Sequence, residues 1–232
     1  LSIFNLLQGQ GNTWAVYWDQ QFSTAKALTQ LAQYDANFKD LSTFVADATS
    51  AAGLPEYVFV TPSLNGRTSA PVIRPNSMHP GDPNSTDAGT IADGEALVKS
   101  VYEAISSNST TWNETLLLIV FDEHGGYWDS VMPPAEVPTW ARLGPAPSWT
   151  MPPDNVPFDF MRYGSRVPAI VVSAWHGTRV DASTVFEHSA IPATVKTVFG
   201  LPSFLTARDA SSPCFHNAWP LLSAPAPPIK LP

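Results

Sequence analysis

Two strand-length runs that are apolar on both faces constrain the fold of this chain most. They span residues 116–121 (LLLIVF) and 167–173 (VPAIVVS). A strand with one face in water alternates apolar and polar residues, whereas a strand of a parallel sheet is covered on both faces and is apolar throughout. Helix-like segments alternate with the strands, most clearly at residues 93–106, where apolar side chains recur every three or four positions. We therefore predict an α/β fold, a mostly parallel sheet flanked by helices.

The remaining segments continue this alternation. Further strands are predicted at residues 14–18 and 57–60, and further helices at residues 1–10, 21–35, 38–48 and 192–199. Two stretches rich in Pro, Gly, Ser and Asn, residues 61–93 and 132–158, are predicted to be long loops. With 232 residues and no internal repeat or linker, the chain fits a single domain spanning 1–232.

Charge and composition limit the binding partners and the cellular compartment that we expect for this protein. The net charge is −8 with 12 Lys and Arg and no basic stripe, so no nucleic-acid partner is expected. No apolar run approaches the roughly 20 residues that a transmembrane helix needs. Three N-x-Ser/Thr sequons, at Asn84, Asn108 and Asn113, favour a secreted or vacuolar glycoprotein.

An acidic pair, Asp122 and Glu123, directly follows the strand at 116–121 and is soon followed by Gly125 and Gly126. Ligands of open α/β sheets bind beyond the carboxyl ends of the strands. Two adjacent carboxylates there are costly to desolvate unless a cation compensates them, and divalent metal ions take oxygen ligands. The residues alone leave two interpretations open: a metal site, or a solvated polar turn that the glycine pair completes.

The string FDEHGGYWDSVMPP (residues 121–134) closely resembles the signature of the phosphoesterase family that contains non-specific phospholipases C and related acid phosphatases. Further segments resemble that family in the same order, at residues 76–97, 112–120, 163–173 and 186–209. The resemblance covers most of residues 55–210. It implies the α/β/α sandwich of the alkaline-phosphatase-like superfamily.

The resemblance also implies roles for individual side chains. Asp122 and Glu123 match the acidic pair that binds the family's catalytic metal, so a divalent metal ion of unspecified identity is the expected cofactor. His79 matches a histidine that contacts the phosphoryl group, where it would neutralise charge or protonate the leaving oxygen. Asp129 matches a second acid and His188 a histidine of the C-terminal segment, and both are included as catalytic candidates.

Plainer interpretations of several residues stay open. A histidine in a Pro- and Gly-rich loop, such as His79, is usually solvated, and His188 suits capping or packing. His124 would hold its own loop through hydrogen bonds. Arg166 would pair with an acid rather than bind substrate.

The chain also departs from the family pattern. Ser130 stands where the family often has a histidine, and Thr61 and Pro62 stand where many members have a glutamate. The family's N-terminal Glu-Asn metal motif and its Thr or Ser nucleophile have no match, so we expect the C-terminal portion of such a domain, incomplete at the N-terminus. The mechanism that the family implies is in-line attack by that hydroxyl, a phosphoryl-enzyme intermediate and hydrolysis by water.

The predicted function is therefore that of a metal-dependent phosphoric ester hydrolase, either a phospholipase C on glycerophospholipids or an acid phosphatase on monoesters. Trp140 and Trp149 in the 132–158 loop would form an apolar lip for lipid at a membrane surface, or would simply pack. The alternative is a non-catalytic relative that binds a metal or a phosphate. A serine hydrolase is disfavoured because no Gly-x-Ser-x-Gly elbow follows a strand.

Overall fold

The computed structural model describes four stretches of the chain, residues 1–21, 23–80, 89–134 and 163–231. The chain divides into two units. The first comprises Leu1–Ile119, Val171–Arg179 and Trp219–Pro232, and the second comprises Val120–Ile170 and Val180–Ala218.

The elements of the described stretches follow the predicted alternation of helices and strands. The helices are α1 (Ile3–Gln10), α2 (Phe44–Thr49), α3 (Ile91–Ser106), α4 (Ser109–Glu114), α5 (Ala190–Val198) and α6 (Ala207–Ala210). The strands are β1 (Trp14–Trp18), β2 (Phe38–Asp40), β3 (Tyr57–Val60), β4 (Leu116–Val120) and β5 (Ala169–Ser173).

A parallel sheet with strand order β2-β1-β3 forms the centre of the first unit. β1 runs parallel to both neighbours, with Val16 opposite Phe38 of β2 and Trp14 opposite Tyr57 of β3. The first four residues of β1 are buried, as expected for a strand that is covered on both faces. The predicted α/β fold with a parallel sheet flanked by helices is confirmed.

Aromatic side chains hold helices on both faces of this sheet. Phe4 of α1 meets Trp14 with ring centroids 5.0 Å apart. Tyr17 meets Phe44 of α2 at 5.1 Å, in a buried cluster that also contains Val101 of α3. Alternate strand residues point to opposite faces, so Trp14 and Tyr17 serve different sides of the sheet. Each fully buried large side chain of this kind contributes roughly 1.5–3 kcal/mol.

The predicted helix at 93–106 is present but begins two residues earlier, at Ile91. The Thr90 hydroxyl accepts a hydrogen bond from the Asp93 N–H at 3.1 Å, and the Asp93 carboxylate accepts one from the Thr90 N–H at 3.1 Å. This reciprocal pair satisfies two of the donors that a helix start leaves open. The cap sets the start of α3, whereas the apolar periodicity marks only its buried face.

The prediction of one helix over residues 21–35 is wrong. The described part holds short 3₁₀ turns instead, at Thr29–Leu31 and Asp35–Asn37. Leu28, Leu31 and Tyr34 recur every third residue, which is the repeat of a 3₁₀ helix. Leu31 is buried and Tyr34 packs against Trp14 at 5.9 Å, so tertiary packing selects the tighter turn over the α-helix.

The predicted helix over residues 38–48 is also wrong in its first half. β2 occupies 38–40, a 3₁₀ turn follows at Leu41–Thr43, and only then does α2 begin. The Asp40 carboxylate accepts a hydrogen bond from the Ser42 N–H at 3.0 Å, which ends the strand in a turn. A strand of three residues is too short for its alternation to be recognised.

β4 and β5, predicted as strands at 116–121 and 167–173, pair in a separate two-stranded sheet. Leu117 and Val172 pack against the core of the first unit. Every residue of β4 is half-buried, and Ile170 of β5 is 55% exposed. In the described stretches this sheet is therefore less covered than β1, although its sequence is just as apolar.

α5 organises the second unit. Ala193 and Val195 on its inner face are buried, and Phe186 stacks on Phe215 with ring centroids 4.7 Å apart. The Thr194 hydroxyl accepts a hydrogen bond from the Phe215 N–H at 2.9 Å. The helix predicted at 192–199 is thus confirmed, with its start two residues earlier.

The two predicted long loops are described in part. Residues 61–80 hold an isolated antiparallel bridge between Arg67 and Ile73 and are otherwise irregular. Several predicted features lie outside the described residues: Asn84, residues 81–88 of the first loop, residues 135–158 of the second, and with them Trp140 and Trp149. Across the described stretches, every helix is too short or too polar to cross a membrane.

Candidate active site

The acidic pair lies on a tight turn that follows β4, and we call residues 121–129 the acidic turn. A hydrogen bond from the Tyr127 N–H to the His124 carbonyl, 3.2 Å long, closes the turn. Between them, Gly125 and Gly126 have φ angles of 67° and 75°. This left-handed conformation costs most other residues about 1–2 kcal/mol each. The glycine pair therefore reverses the chain directly after the acidic pair.

The two acids of the pair use their carboxylates differently. Glu123 accepts a hydrogen bond from the Gly125 N–H at 2.5 Å and lies 3.6 Å from Nδ1 of His124. Asp122 makes no hydrogen bond or ion pair with any other residue of the described stretches. Both side chains are exposed. Asp122 therefore keeps both of its oxygens available to a cation from solvent.

Asp129, at the end of the acidic turn, is tied down by Arg166. Arg166 donates from Nε to Oδ2 at 2.9 Å and from Nη2 to Oδ1 at 3.0 Å. The Val131 N–H adds a third bond at 3.0 Å. Hydrogen bonds from the Arg166 guanidinium hold the pKa of Asp129 well below its usual range. The expected pairing of Arg166 with an acid is confirmed. Asp129 anchors the turn through these bonds, and its catalytic role stays a prediction.

His188 joins the acidic turn at its other end. Its Nε2 lies 2.9 Å from the carbonyl oxygen of Phe121, the residue directly before Asp122. His188 itself is exposed. The structure thus places this predicted histidine against the backbone that carries the acidic pair.

A group of side chains that the sequence did not reveal meets at Glu187, the residue before His188. The neighbouring Glu187 pairs with Arg208 and accepts a hydrogen bond from the Tyr163 hydroxyl at 3.3 Å. Burial, followed by the Glu187 charge, raises the pKa of Tyr163. Arg208 and Tyr163 lie 21 and 24 positions from Glu187, so no local spacing could have connected them.

His79 belongs to the first unit, in the irregular segment 61–80. Its side chain is exposed, and its backbone N–H donates to the Ser77 hydroxyl at 3.2 Å. The other candidates, Asp122, Glu123, Asp129 and His188, all belong to the second unit.

The acidic pair offers the type of ligand that a hard divalent cation prefers, but fewer ligands than such a cation needs. Asp122 and Glu123 offer oxygen ligands, which such ions prefer, but these ions take six or more ligands. Among the described residues, no three side chains of His, Cys, Asp or Glu converge as a metal-binding group. Water, a phosphoryl oxygen or further residues would complete the coordination.

The chain belongs to the phosphoesterase family, which matches residues 2–202. It is 35% identical to non-specific phospholipase C3 of Arabidopsis thaliana, over 90% of this chain and 38% of that protein. It is 39% identical to non-specific phospholipase C6 of the same plant, over 89% of this chain and 37% of that protein.

A bacterial relative matches as well. Non-hemolytic phospholipase C of Pseudomonas aeruginosa is 30% identical over 84% of this chain and 29% of that protein. The chain therefore spans less than two fifths of the length of these relatives. The residues that match the phosphoesterase family, 2–202, include the acidic turn.

Proposed function

We propose that this chain carries the metal-binding part of a phosphoric ester hydrolase, in which Asp122 and Glu123 bind a divalent cation. The observation that carries the proposal is the state of Asp122, an exposed carboxylate that has no partner among the described residues. Two adjacent acids repel each other, so a position of this kind favours a cation. Membership of the phosphoesterase family supports the class of reaction.

The backbone of the acidic turn is fixed before any ligand arrives. Gly125 and Gly126 set the reversal, Arg166 holds Asp129, and His188 contacts the carbonyl before Asp122. A site whose supporting contacts already exist loses little conformational entropy on binding. These contacts support a site for a ligand rather than a solvated loop.

The chemistry divides between the cation and the chain. A divalent cation held by the acidic pair would act as a Lewis acid, neutralising charge on a phosphoryl oxygen. Asp122 and Glu123 would hold that cation in place. His79 and His188 are the candidates that hold or move a proton at the phosphoryl or leaving oxygen. We assign the attacking hydroxyl to no residue of this chain.

Within this class, a glycerophospholipid is favoured over a soluble monoester. The relatives described above are named as phospholipases C. Tyr127, Trp128 and Met132, beside the acidic pair in sequence, are 70%, 90% and 80% exposed. Aromatic and long apolar side chains suit the boundary between lipid and water. We therefore propose a phospholipid substrate with peripheral contact to its membrane.

A second candidate is a non-catalytic protein that binds a metal or a phosphate. It is favoured by one observation, the lack of any convergent group of three metal-binding side chains among the described residues. Under this candidate Asp122 still binds a cation, but no ester is cleaved.

The test is an assay of the purified chain on phosphatidylcholine vesicles and on p-nitrophenyl phosphate. Each assay is run after chelation with EDTA and after separate addition of Mg²⁺, Mn²⁺, Ca²⁺ and Zn²⁺. The variants are Asp122→Asn and, as a matched control, Glu114→Gln, which removes an exposed charge in the first unit. We expect calorimetry to show a divalent ion bound by the wild type and by Glu114→Gln, with an affinity lower by about 100-fold or more in Asp122→Asn, and any turnover to follow the same order.

The outcomes separate the candidates. Metal binding measured by calorimetry, without turnover of either substrate by this chain or by a form that also carries the N-terminal region of its relatives, would favour the non-catalytic protein. Turnover that survives both EDTA and Asp122→Asn would contradict the metal role of the acidic pair. Phosphocholine release from vesicles without cleavage of p-nitrophenyl phosphate would support the phospholipid assignment.

A further inference from the structure

The residue before His79 has an unusual backbone. Met78 has a φ of 60°, a left-handed conformation that is uncommon for a residue with a side chain. Such a conformation costs on the order of 1–3 kcal/mol and persists only where neighbouring contacts enforce it. The contacts of Met78 therefore need an explanation.

Met78 lies directly on a glycine of α3. A Cβ atom added to Gly94 would come within 2.3 Å of Met78 Cγ, 2.6 Å of Met78 Cε and 3.1 Å of the Asn76 carbonyl oxygen. Gly94 is buried in the second turn of the helix. A glycine inside a helix is about 1 kcal/mol less stable than an alanine. The Met78 side chain and the Asn76 carbonyl, which is a backbone atom, together leave little room for a Cβ at this position.

The preceding residues are held to the rest of the first unit as well. Asn76 accepts a hydrogen bond from the Ser63 N–H at 2.6 Å through its side chain, and its own N–H donates to the Ser63 carbonyl at 2.9 Å. Arg67, further back in the same segment, donates to both carboxylate oxygens of Asp40 at 2.6 and 3.1 Å. The chain is thus fixed up to Met78, while the side chain of His79 is exposed.

We propose that the contact between Met78 and Gly94 positions His79 for its contact with the phosphoryl group. Both residues of this contact are conformationally unfavourable: Met78 has a left-handed backbone, and Gly94 is a glycine within a helix. Their combined effect is to set the direction in which the next side chain leaves the backbone. Met78 and Gly94 are positioning residues, and the proposal rests on the proposed function of His79.

The test uses the imidazole signals of the protein in ¹H–¹³C NMR, with inorganic phosphate as the probe. The chain has five histidines, and His79→Gln identifies the signal of His79. The main variant is Gly94→Ala. The matched control is Gly9→Ala, also in a helix, where an added Cβ would meet nothing within 4 Å.

We expect Gly94→Ala to move or broaden the His79 signal and to raise the phosphate concentration of its half-maximal shift by at least about tenfold, the equivalent of about 1.4 kcal/mol. Gly9→Ala should leave both unchanged. Met78→Ala in the Gly94→Ala background removes the Cγ and Cε atoms that crowd the new methyl group, so it should restore much of the response.

A folded Gly94→Ala protein with the wild-type His79 signal and phosphate response would overturn the proposal. If Gly94→Ala does not fold, Met78→Ala alone replaces it, and an unchanged His79 signal in that variant would overturn the proposal equally. If phosphate does not shift the His79 signal even in the wild type, the phosphoryl role of His79 fails. The positioning effect is then still decided by the signal in phosphate-free buffer.

Discussion

Acidic side chains follow strands in two regions of this molecule, and the two regions differ in how those acids are used. In the first unit, Asp19 follows β1 and Asp40 ends β2; together with Ser63 and Arg67 we call them the buried polar edge. Ser63 donates a short hydrogen bond to Asp19 with both side chains fully buried, and Arg67 donates to Asp40. In the second unit, Asp122 follows β4, is exposed and has no partner among the described residues.

The comparison shows that an acid at the carboxyl end of a strand is not by itself evidence of a ligand site. In the buried polar edge, each carboxylate accepts hydrogen bonds from the protein, as buried polar groups must. At the acidic turn, the protein fixes the backbone around Asp122 but leaves its oxygens unused. Unused oxygens on a fixed backbone, rather than acidity, are what distinguish the proposed metal site.

The largest effect is expected when the charge of Asp122 is removed and a metal is added, because this tests directly whether Asp122 binds a cation. In metal-free buffer, Asp122→Asn should change the free energy of unfolding by less than about 0.5 kcal/mol. Excess Mn²⁺, at a hundred times its Kd, should stabilise the wild type by about 2.7 kcal/mol and the variant far less. Thermal unfolding followed by circular dichroism measures both effects. Equal stabilisation of the two proteins by Mn²⁺ would remove the distinction.

The opposite result is expected at the buried polar edge. Ser63→Ala removes the donor to Oδ2 of the buried Asp19 carboxylate, which keeps its bond from the Gln21 N–H, and leaves the Gly66 N–H without its acceptor. We expect a loss of roughly 2 kcal/mol in the free energy of unfolding, measured by urea denaturation. Ser69→Ala, at an exposed position of the same segment, is the control and should be neutral. A neutral Ser63→Ala would mean that this network is not structural.

The pH dependence of stability offers a third test. Hydrogen bonds from Arg67, against the opposing effect of burial, lower the pKa of Asp40 from its ordinary 3.8 to about 2. A depressed carboxyl pKa contributes stability that is fully present above about pH 4 and is lost as the pH falls towards 2. Asp40→Asn should therefore be destabilised by roughly 2 kcal/mol at pH 7 and by much less near pH 2. Urea unfolding across that range measures the difference in the free energy of unfolding between the wild type and Asp40→Asn. A difference that does not change with pH would contradict the lowered pKa of Asp40.

The smallest effect is expected in the acidic turn itself. An added Cβ at Gly126 would meet nothing within 4 Å, but its φ is 75°. Gly126→Ala should therefore cost about 1 kcal/mol through backbone conformation alone. Asparagine tolerates left-handed angles, so Gly126→Asn should lose less. Urea denaturation of both variants checks this, and an alanine variant as stable as wild type would show that the turn adapts freely.

The sequence was sufficient for features that repeat along a strand or helix. β1 and β3 are predictable because runs of aromatic and β-branched residues favour strands, and α3 is predictable because its apolar periodicity reports burial. The segment after β1 was mistaken because Leu31 and Tyr34 pack in a 3₁₀ turn, and propensity cannot weigh such contacts. β2 was missed because three residues carry no period.

In the candidate site, too, the sequence predicts local features but not contacts between distant residues. The acidic pair and the glycine pair lie within five residues, so a local pattern could identify them. The pairing of Arg166 with an acid was expected, but Asp129 as its partner, 37 positions away, was not. The Glu187–Arg208 pair was missed altogether, because such partners depend on the fold rather than on spacing.

The contact between His188 and the backbone has a chemical consequence of its own. A carbonyl oxygen can only accept a hydrogen bond, so the bond to Phe121 O places a proton on Nε2 of His188. In the neutral ring this selects one tautomer and makes Nδ1 the lone-pair nitrogen. Any proton that His188 gains or gives up while this bond persists therefore passes through Nδ1, and Nε2 donates to the acidic turn in both charge states.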